Sequence, residues 1–231
     1  MPIANIDMLQ IVANGLGELR NEVVFVGGAV AELYADNPAA SDIRPTTDVD
    51  FVVELSSRSK HAKLEEDIRA KGFKNDTSKG APICRYIYQG IKVDVMPSDS
   101  KILGFSNIWY LEGIKNKISE ELPDETEIFI FTPVYYLAAK LEAHKNRGGN
   151  DLRQSKDFED IIYLLDNCSD LLEQIMIADS GVQQYLKNEF SVLLKSENII
   201  EGIECALPRD DSSADYVEII IEIMQSIVDI V

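Results

Sequence analysis

Short apolar segments alternate with amphipathic ones in the first half of the chain. Apolar residues at helical spacing predict helices over 5–20, 29–34 and 60–71. Runs rich in β-branched and aromatic residues predict strands over 22–26, 48–55, 83–88, 91–96 and 127–131. Gln89-Gly90 separates two of these strands and predicts a hairpin with a tight turn. Asn37-Pro38 and Arg44-Pro45 act as breakers and predict a loop over 35–47.

From Pro133 onward the pattern becomes helical throughout. The predicted helices span 133–147, 155–167, 169–178, 181–195, 197–205 and 213–231. This change, from alternating strand and helix patterns to helical patterns throughout, predicts a domain boundary near residue 132. We therefore expect an α+β fold, with a mixed β-sheet and helices over 1–131 and an all-helical domain over 132–231.

Composition limits the classes of protein to which the chain can belong. It has 231 residues, of which 45% are hydrophobic, so it can bury a sizeable core. Its formal net charge is -18, with 22 basic and 40 acidic residues. This charge disfavours anionic membranes and nucleic acid in general, so binding of RNA would need a local basic cleft.

Cysteine usage and the chain ends predict a cytoplasmic protein that does not contact a membrane. Three scattered cysteines form no CxxC pair, which is typical of a reducing compartment. Two histidines are too few to favour a His/Cys zinc site. The N-terminus lacks the pattern of a signal peptide. The apolar stretch 216–231 contains three acidic residues, which predicts an amphipathic core helix rather than a membrane span.

Two aspartates one residue apart are the first candidates for chemistry. Residues i and i+2 of a strand point to the same face, so Asp48 and Asp50 are expected side by side. Val49, Phe51 and Val53 form the opposite, apolar face of the same strand. Two carboxylates forced together repel each other and resist desolvation, and a divalent cation relieves that cost.

Asp94 is the third candidate ligand, on the second strand of the predicted hairpin. Alternation puts Lys92 and Asp94 on one face of this strand and Val93 and Val95 on the other. If the strand lies beside the Asp-x-Asp strand, three carboxylates meet, and oxygen ligands of this kind suit Mg²⁺ or Mn²⁺. The alternative is that each acid is structural, as a turn residue or a solvent-facing side chain.

Gly27-Gly28 stands between a predicted strand and a predicted helix. Glycine lets backbone N–H groups approach a phosphate closely, and a helix N-terminus favours its negative charge. A tight turn from strand to helix would need the same glycines without any ligand.

The order of these motifs resembles a known superfamily. Gly27-Gly28, then Asp48-x-Asp50, then Asp94 is similar to the nucleotidyltransferase superfamily of the DNA polymerase β type. In that superfamily a Gly-Gly or Gly-Ser turn precedes an acid-x-acid strand, and a third acid follows on a later strand. The resemblance covers roughly residues 22–165.

The residues around the Asp-x-Asp pair narrow the resemblance to one branch of the superfamily. The string from Arg44 through Thr46 to Phe51 resembles the AbiEii/AbiGii-type toxin branch, in which Arg-x-Ser/Thr-x-Asp-hydrophobic-Asp is common. The gap between Gly28 and Asp48 is longer than usual for the superfamily, and the predicted loop over 35–47 absorbs it.

Charged residues on two predicted helices also resemble that branch. Lys140, His144 and Arg147 follow one another at i, i+4 and i+7, on one helix face. Asp157 and Asp160 open the next helix, where acids favour the dipole. A basic face of this kind can hold a triphosphate, and Asp157 can orient Lys140 or contact the nucleotide. The alternative is a solvated pair of charged helices.

The resemblance implies a magnesium- or manganese-dependent nucleotidyltransferase that transfers NMP from an NTP to an acceptor hydroxyl. It implies catalytic and metal-binding roles for Asp48, Asp50 and Asp94. It implies nucleotide-binding roles for Gly27, Gly28, Thr46, Lys140 and Asp157. In that branch the acceptor is often the 3′ end of tRNA, and a separately encoded antitoxin restrains the enzyme.

Two other functions stay open from the sequence. The same fold can transfer a nucleotide to a small molecule such as an aminoglycoside, or to a protein, and a charge of -18 suits a cationic acceptor. A nucleotide-binding module without catalysis is the non-enzymatic alternative. Serines and cysteines have no His/Asp partner at useful spacing, so nucleophilic catalysis has no support.

Overall fold

A computed structural model describes residues 3–36, 43–55, 57–147, 151–207 and 213–230. The chain divides into two compact units. The first contains Met1–Leu33 and Arg44–Thr132, and the second contains Tyr34–Ile43 and Pro133–Val231. Residues 37–42 of the predicted loop over 35–47, including Asn37-Pro38, lie outside the described residues.

The first unit is built on a mixed sheet of seven strands. They are β1 (Val23–Val26), β2 (Asp48–Val53), β3 (Lys74–Asn75), β4 (Arg85–Tyr88), β5 (Ile91–Pro97), β6 (Lys117–Glu121) and β7 (Glu127–Phe131). Their order in the sheet is β3-β4-β5-β2-β1-β7-β6. The pairs β2/β5 and β1/β7 are parallel and the other neighbouring pairs are antiparallel. The predicted mixed sheet is confirmed.

Helices connect these strands. They are α1 (Asn5–Leu16), α2 (Arg58–Ala70), α3 (Ser100–Leu103) and α4 (Tyr110–Lys115). The helix predicted over 5–20 ends as an α-helix at Leu16, because Gly17 has a φ of 54°, and it continues as a 3-10 helix over Gly17–Glu22. The helix predicted over 29–34 is also a 3-10 helix, over Gly28–Tyr34.

The central strands are apolar because they are buried. All four residues of β1 are buried, and in β2 the residues from Phe51 to Val53 are buried as well. The edge strands β3 and β6 lie largely at the surface and carry charged residues, which discourage pairing with another chain. Neither edge strand was predicted, because both lack the apolar signal that identified the other five strands.

The second unit is helical. Its helices are α5 (Pro133–Asn146), α6 (Lys156–Asn167), α7 (Leu171–Ile177), α8 (Ser180–Leu193), α9 (Ile199–Ala206) and α10 (Ser213–Asp229), with a short 3-10 helix over Leu152–Gln154. Each predicted helix of this half is present, with ends within two residues of those expected. Its core includes Phe158, Ile161, Leu186, Phe190 and Met224. The α+β fold with a helical C-terminal region is therefore confirmed.

The apolar C-terminal stretch forms α10, whose buried residues recur at helical spacing, at Val217, Ile220, Met224 and Ile227. In the described parts of the chain, no helix combines the length and apolar character needed to cross a membrane.

Candidate functional site

The three predicted acidic residues lie on two neighbouring strands. Strands β2 and β5 are parallel, and Asp50 is the direct partner of Asp94 in their register. Asp48 is paired with Lys92 in the same way. Directly paired residues point to the same face of a sheet, so Asp48, Asp50 and Asp94 share one face. The condition on which the predicted three-acid site depended, that these strands are neighbours, is met.

This face is only partly open to solvent. Asp94 is 9% exposed, and Asp48 and Asp50 are half-buried. Val49 and Val93, which point to the other face, are fully buried in the core of the first unit. The fold therefore holds three carboxylates at the margin of an apolar sheet, where charge is costly unless it is compensated.

Arg85, at the start of β4, provides that compensation. Its Nε donates to Asp94 Oδ1 at 2.7 Å and its Nη2 donates to Asp94 Oδ2 at 2.6 Å. Nη2 also donates to Asp48 Oδ2 at 3.2 Å. Two parallel bonds from one guanidinium to one carboxylate are among the strongest ion pairs in proteins. We call Asp48, Asp50, Asp94 and Arg85 the acid face.

The surroundings on the acid face shift the pKa of two neighbouring groups. The hydrogen bond with Asp94 raises the pKa of Arg85 above its usual range, and the charges of Asp94, Asp48 and Asp50 act in the same direction. Burial, with the charge of Asp94 second, raises the pKa of the Cys84 thiol to about 11. Cys84 is therefore a protonated thiol at neutral pH and not a nucleophile.

Arg85 was not predicted as a site residue, although the predicted hairpin contained the signal. Gln89 and Gly90 have φ values of 48° and 84°, as expected for a two-residue type I′ turn. A two-residue turn pairs Tyr88 with Ile91, and counting outward from it pairs Arg85 with Asp94, as the structure shows. The length of the turn thus predicts a cation opposite the third acid.

Thr46 contacts the acid face through Asp48. Its Oγ1 donates to Asp48 Oδ1 at 3.0 Å. Its backbone N–H donates to Asn5 Oδ1 at 2.9 Å, and Asn5 Nδ2 donates in turn to the Arg44 carbonyl at 3.2 Å. Asn5 is buried at the start of α1 and ties the segment before β2 to that helix. Thr46, predicted to bind nucleotide, therefore also orients the first aspartate.

Gly27 lies against the second aspartate. Its φ is 80°, and a Cβ at this position would collide with the Asp50 carboxylate. Only glycine allows both the left-handed backbone and the close approach. Gly28 follows it and begins the 3-10 helix Gly28–Tyr34. The close approach of Asp50 therefore explains why the first residue of the Gly27-Gly28 motif is a glycine.

Lys140 and Asp157, also predicted to bind nucleotide, lie in the helical unit. Lys140 Nζ on α5 is 2.5 Å from Asp160 Oδ2 and 3.4 Å from Asp157 Oδ1 on α6. Arg147 Nη1 donates to Asp157 Oδ2 at 2.9 Å. Lys140 is 7% exposed and Asp160 is 1% exposed, whereas the Arg147 side chain is 73% exposed. We call Lys140, Arg147, Asp157 and Asp160 the helix-pair cluster.

His144 lies on the same face of α5 as Lys140 and Arg147. Its Nδ1 is 2.7 Å from Ser155 Oγ, and this hydroxyl also accepts from the Phe158 N–H at the start of α6. Burial lowers the pKa of His144 below its ordinary value of 6.5. All three predicted basic side chains of α5 thus contact groups at the start of α6.

The arrangement of the acids bears on metal binding. In the described ranges, no group of three or more His, Cys, Asp or Glu side chains is disposed to hold a metal ion. On the acid face the Arg85 guanidinium lies between Asp94 and Asp48 and donates to both. The oxygen donors are of the type that Mg²⁺ prefers, so the chemical type of the donor set suits a divalent cation.

Comparison with known proteins adds little. No family model and no curated protein matches this chain. Among solved structures it is similar to the crystal structure of JHP933 from Helicobacter pylori, with 11% sequence identity and a TM-score of 0.49, over 97% of this chain and 92% of that chain. At that score the likeness carries no argument about function.

Proposed function

We propose that this protein is a divalent-metal-dependent nucleotidyltransferase, which transfers NMP from an NTP to an acceptor hydroxyl. The observation that carries the proposal is the register of β2 and β5. It brings Asp50 against Asp94 and leaves Asp48 on the same face. The resemblance of Gly27-Gly28, Asp48-x-Asp50 and Asp94 to the superfamily supplies the reaction class.

The proposed chemistry uses all three acids. Asp48 and Asp50 would hold a magnesium or manganese ion with Asp94, and such an ion supplies charge stabilisation for the triphosphate. Asp94, the most buried of the three, would accept the proton of the acceptor hydroxyl. The acceptor oxygen would then form the new bond to the α-phosphorus, and the bond to pyrophosphate would break.

The surroundings of the acids would serve the same reaction. Gly27 leaves room for the Asp50 carboxylate, because a Cβ at this position would collide with it. Thr46 holds Asp48 through a hydrogen bond. A carboxylate already fixed by its neighbours loses little conformational freedom when it binds a ligand, which favours transfer over a loosely held site.

Lys140 and Asp157 would act on the nucleotide only if they left their present ion pairs. Both are buried in the helix-pair cluster, where Lys140 lies near two carboxylates. We therefore assign the transfer reaction to the acid face and a stabilising role in the helical unit to Lys140. A Lys140→Met variant that folds and keeps full transfer activity would agree with this division.

Two acceptors follow from different observations. The resemblance to AbiEii-type toxins favours the 3′ end of tRNA and a partner antitoxin. The net charge of -18 favours a cationic small molecule such as an aminoglycoside, because RNA binding depends on phosphate contacts by basic residues.

The experiment supplies purified protein with each NTP labelled at the α-phosphate, Mg²⁺, and either tRNA, total RNA or an aminoglycoside. We expect label on one class of acceptor, together with release of pyrophosphate, and no transfer when the label is on the γ-phosphate. Asp48→Asn with Asp50→Asn should abolish the transfer, while the exposed control Asp215→Asn should not change it.

Two results would count against the proposal. Absence of transfer from all four NTPs to every acceptor, with folded protein, would overturn the enzymatic function. Full activity in the double Asp48→Asn, Asp50→Asn variant would overturn the assignment of these acids. Binding of NTP and Mg²⁺ by titration calorimetry without turnover would favour the non-catalytic module.

A further inference from the structure

We propose that a cavity at the carboxyl ends of the parallel strands β2 and β5 binds a small primary amine that carries an apolar group. The cavity has a volume of about 430 Å³, and all of its lining residues belong to the first unit. Ligand pockets in proteins commonly measure about 300–1,000 Å³. The carboxyl ends of parallel strands are also a frequent position for ligands. The proposal does not rest on the proposed function.

The cavity is separate from the acid face. Glu54 follows the last residue of β2, four positions after Asp50, and Ser98 follows the last residue of β5, four positions after Asp94. At about 3.3 Å per residue, each strand puts about 13 Å between an aspartate of the acid face and the cavity. A reacting hydroxyl must come within about 3–3.5 Å of the atom that it attacks. A small ligand in this cavity is therefore not in the position of the acceptor.

The loop after β5 forms one wall of the cavity, and hydrogen bonds hold this loop in place. The Ser98 N–H donates to the Val53 carbonyl at 2.9 Å, which extends the pairing of β2 with β5 by one residue. Ser106 Oγ donates to the Ser98 carbonyl at 3.0 Å. Asn107 Oδ1 accepts from the Trp109 N–H at 3.0 Å, at the start of α4. Because the wall is already ordered, a ligand would lose little affinity to the ordering of this loop.

The same loop exposes large apolar side chains at the cavity. Ile108 is 64% exposed and Leu111 is 39% exposed, and both line the cavity. Phe105, in the same loop, is 43% exposed. Leu55 also lines the cavity and is buried. Apolar surface in contact with water is unfavourable, so a cluster of such side chains beside a cavity favours a ligand with an apolar group.

The polar lining sets the other requirement on a ligand. It includes the carboxylates of Glu54 and Asp99 and the hydroxyls of Ser98 and Ser100. Of the described side chains that line the cavity, none is basic. An ammonium group has three N–H donors and a positive charge, which match hydroxyl and carboxylate oxygens. A phosphate or carboxylate ligand would be repelled by the two acids, so the charge of the lining disfavours an NTP.

Lys115 is close to the cavity but is held by another residue. Its hydrogen bond with Glu112 raises the pKa of Lys115, and the charge of Glu54 acts in the same direction. Lys115 Nζ donates to Glu112 Oε1 at 2.7 Å, and Lys115 is not among the described residues that line the cavity. We therefore expect the cation beside the oxygens of the cavity to come from the ligand.

The first test titrates the full chain with phenethylamine, which combines an ammonium with an apolar ring. Trp109 is the single tryptophan of the chain and directly follows the lining residue Ile108, so its fluorescence reports on the cavity. We expect a saturable change in this fluorescence and the same Kd by calorimetry. Phenethyl alcohol lacks the charge, methylamine lacks the ring, and hydrocinnamate has the opposite charge. Each of these should bind about tenfold more weakly or worse.

The second test uses variants with matched controls. Ile108→Ala shortens the apolar wall and should raise the Kd for phenethylamine about fivefold. Ile83→Ala is its control, because Ile83 is 72% exposed in the same unit but is not a lining residue. Asp99→Asn removes a charge and keeps an N-cap for α3, since asparagine caps as well as aspartate. It should weaken phenethylamine about fivefold and leave phenethyl alcohol unchanged, and the exposed Glu66→Gln should change neither.

Several outcomes would overturn the proposal. Binding of phenethylamine no tighter than that of phenethyl alcohol would exclude an amine site. Heat of binding without a change in Trp109 fluorescence, or equal effects of Ile108→Ala and Ile83→Ala, would place the ligand outside this cavity. Absence of saturable binding would exclude the site altogether. Each of these results leaves nucleotidyl transfer undecided, because every variant keeps the residues of the acid face.

Discussion

The acid face and the helix-pair cluster contain the same kinds of groups in different surroundings. Each surrounds a cation with at least two aspartates. In the helix-pair cluster, Lys140 and Asp160 are almost completely buried. On the acid face, a third carboxylate is present and Asp48 remains half-buried. Nearly complete burial is typical of a structural ion pair, whereas partial exposure leaves a site accessible to a ligand.

The two networks also arise from different levels of structure. Helix geometry puts Lys140 and Arg147 on one side of α5, seven residues apart, with the two aspartates on α6. Strand register brings Asp50 beside Asp94 and Arg85 opposite Asp94. A substitution in the helical cluster should therefore act mainly on stability, whereas a substitution on the acid face should act on both stability and ligand binding.

The largest expected effect comes from breaking the buried helical pair. Asp160→Ala removes the closer of the two carboxylates beside the buried Lys140 and should destabilise the protein by about 3–5 kcal/mol. Urea denaturation followed by circular dichroism measures this change. Glu201→Ala removes an exposed ion pair with Arg153 and should leave the free energy of unfolding nearly unchanged. Equal effects of the two variants would contradict a buried structural role.

The second largest effect is expected from Gly27→Ala, which tests the contact between Gly27 and Asp50. Gly27→Ala forces an alanine into a φ of 80° and against a carboxylate, and we expect a loss of about 2–4 kcal/mol. Gly104→Ala is the matched control, because its φ is 86° and a Cβ there meets nothing within 4 Å. It should cost only the backbone strain, about 1–2 kcal/mol. A smaller loss for Gly27→Ala than for Gly104→Ala would mean that Asp50 is free to move away.

A smaller effect is expected when Arg85 is removed. Arg85→Gln loses a bidentate charged hydrogen bond, but Asp48 and Asp94 can turn partly toward water, so the loss should be about 1–2 kcal/mol. Thermal unfolding measures it, and added Mg²⁺ should restore part of the lost stability by binding the folded state. If the variant is as destabilised as Asp160→Ala, the acid face is as structural as the helical cluster.

The smallest effect concerns His144. Burial lowers its pKa in the folded protein, so the unfolded chain takes up a proton more readily as the pH falls. Its contribution to stability is therefore fully present above its ordinary pKa of 6.5 and is lost as the pH falls from there through the folded value. His144→Gln should reduce the slope of the free energy of unfolding against pH in this window. An unchanged slope below pH 6.5 would exclude His144 as the source of the pH dependence.

Much of the fold could be predicted from the sequence, because buried elements have strong periodic patterns. The central strands and the six helices of the second unit follow from apolar spacing alone. The edge strand β6 (Lys117–Glu121) could not be predicted, because three of its five residues are charged and its pairing with β7 supplies the structure. The short helices α3 and α4 lack a continuous apolar stripe.

The acids of the candidate site could be predicted from the sequence, whereas Arg85 could not be predicted from periodicity. Asp48 and Asp50 follow from alternation within one strand, and Asp94 depends only on a neighbouring strand. Arg85 depends on pairing across a hairpin, which is tertiary information unless the turn length is used to count positions. The buried partnership of Lys140 with Asp160 also depends on helix packing, which periodicity cannot supply.

The two-residue turn at Gln89-Gly90 has a consequence for how this protein can vary. The turn acts as a spacer of fixed length, and residues that accept positive φ can replace either position without changing what lies opposite Asp94. One added residue that shifted β4 by a single place would turn Tyr86 toward the acids and carry Arg85 to the opposite side of the sheet. Natural or engineered variation at this loop is therefore constrained in length far more than in composition.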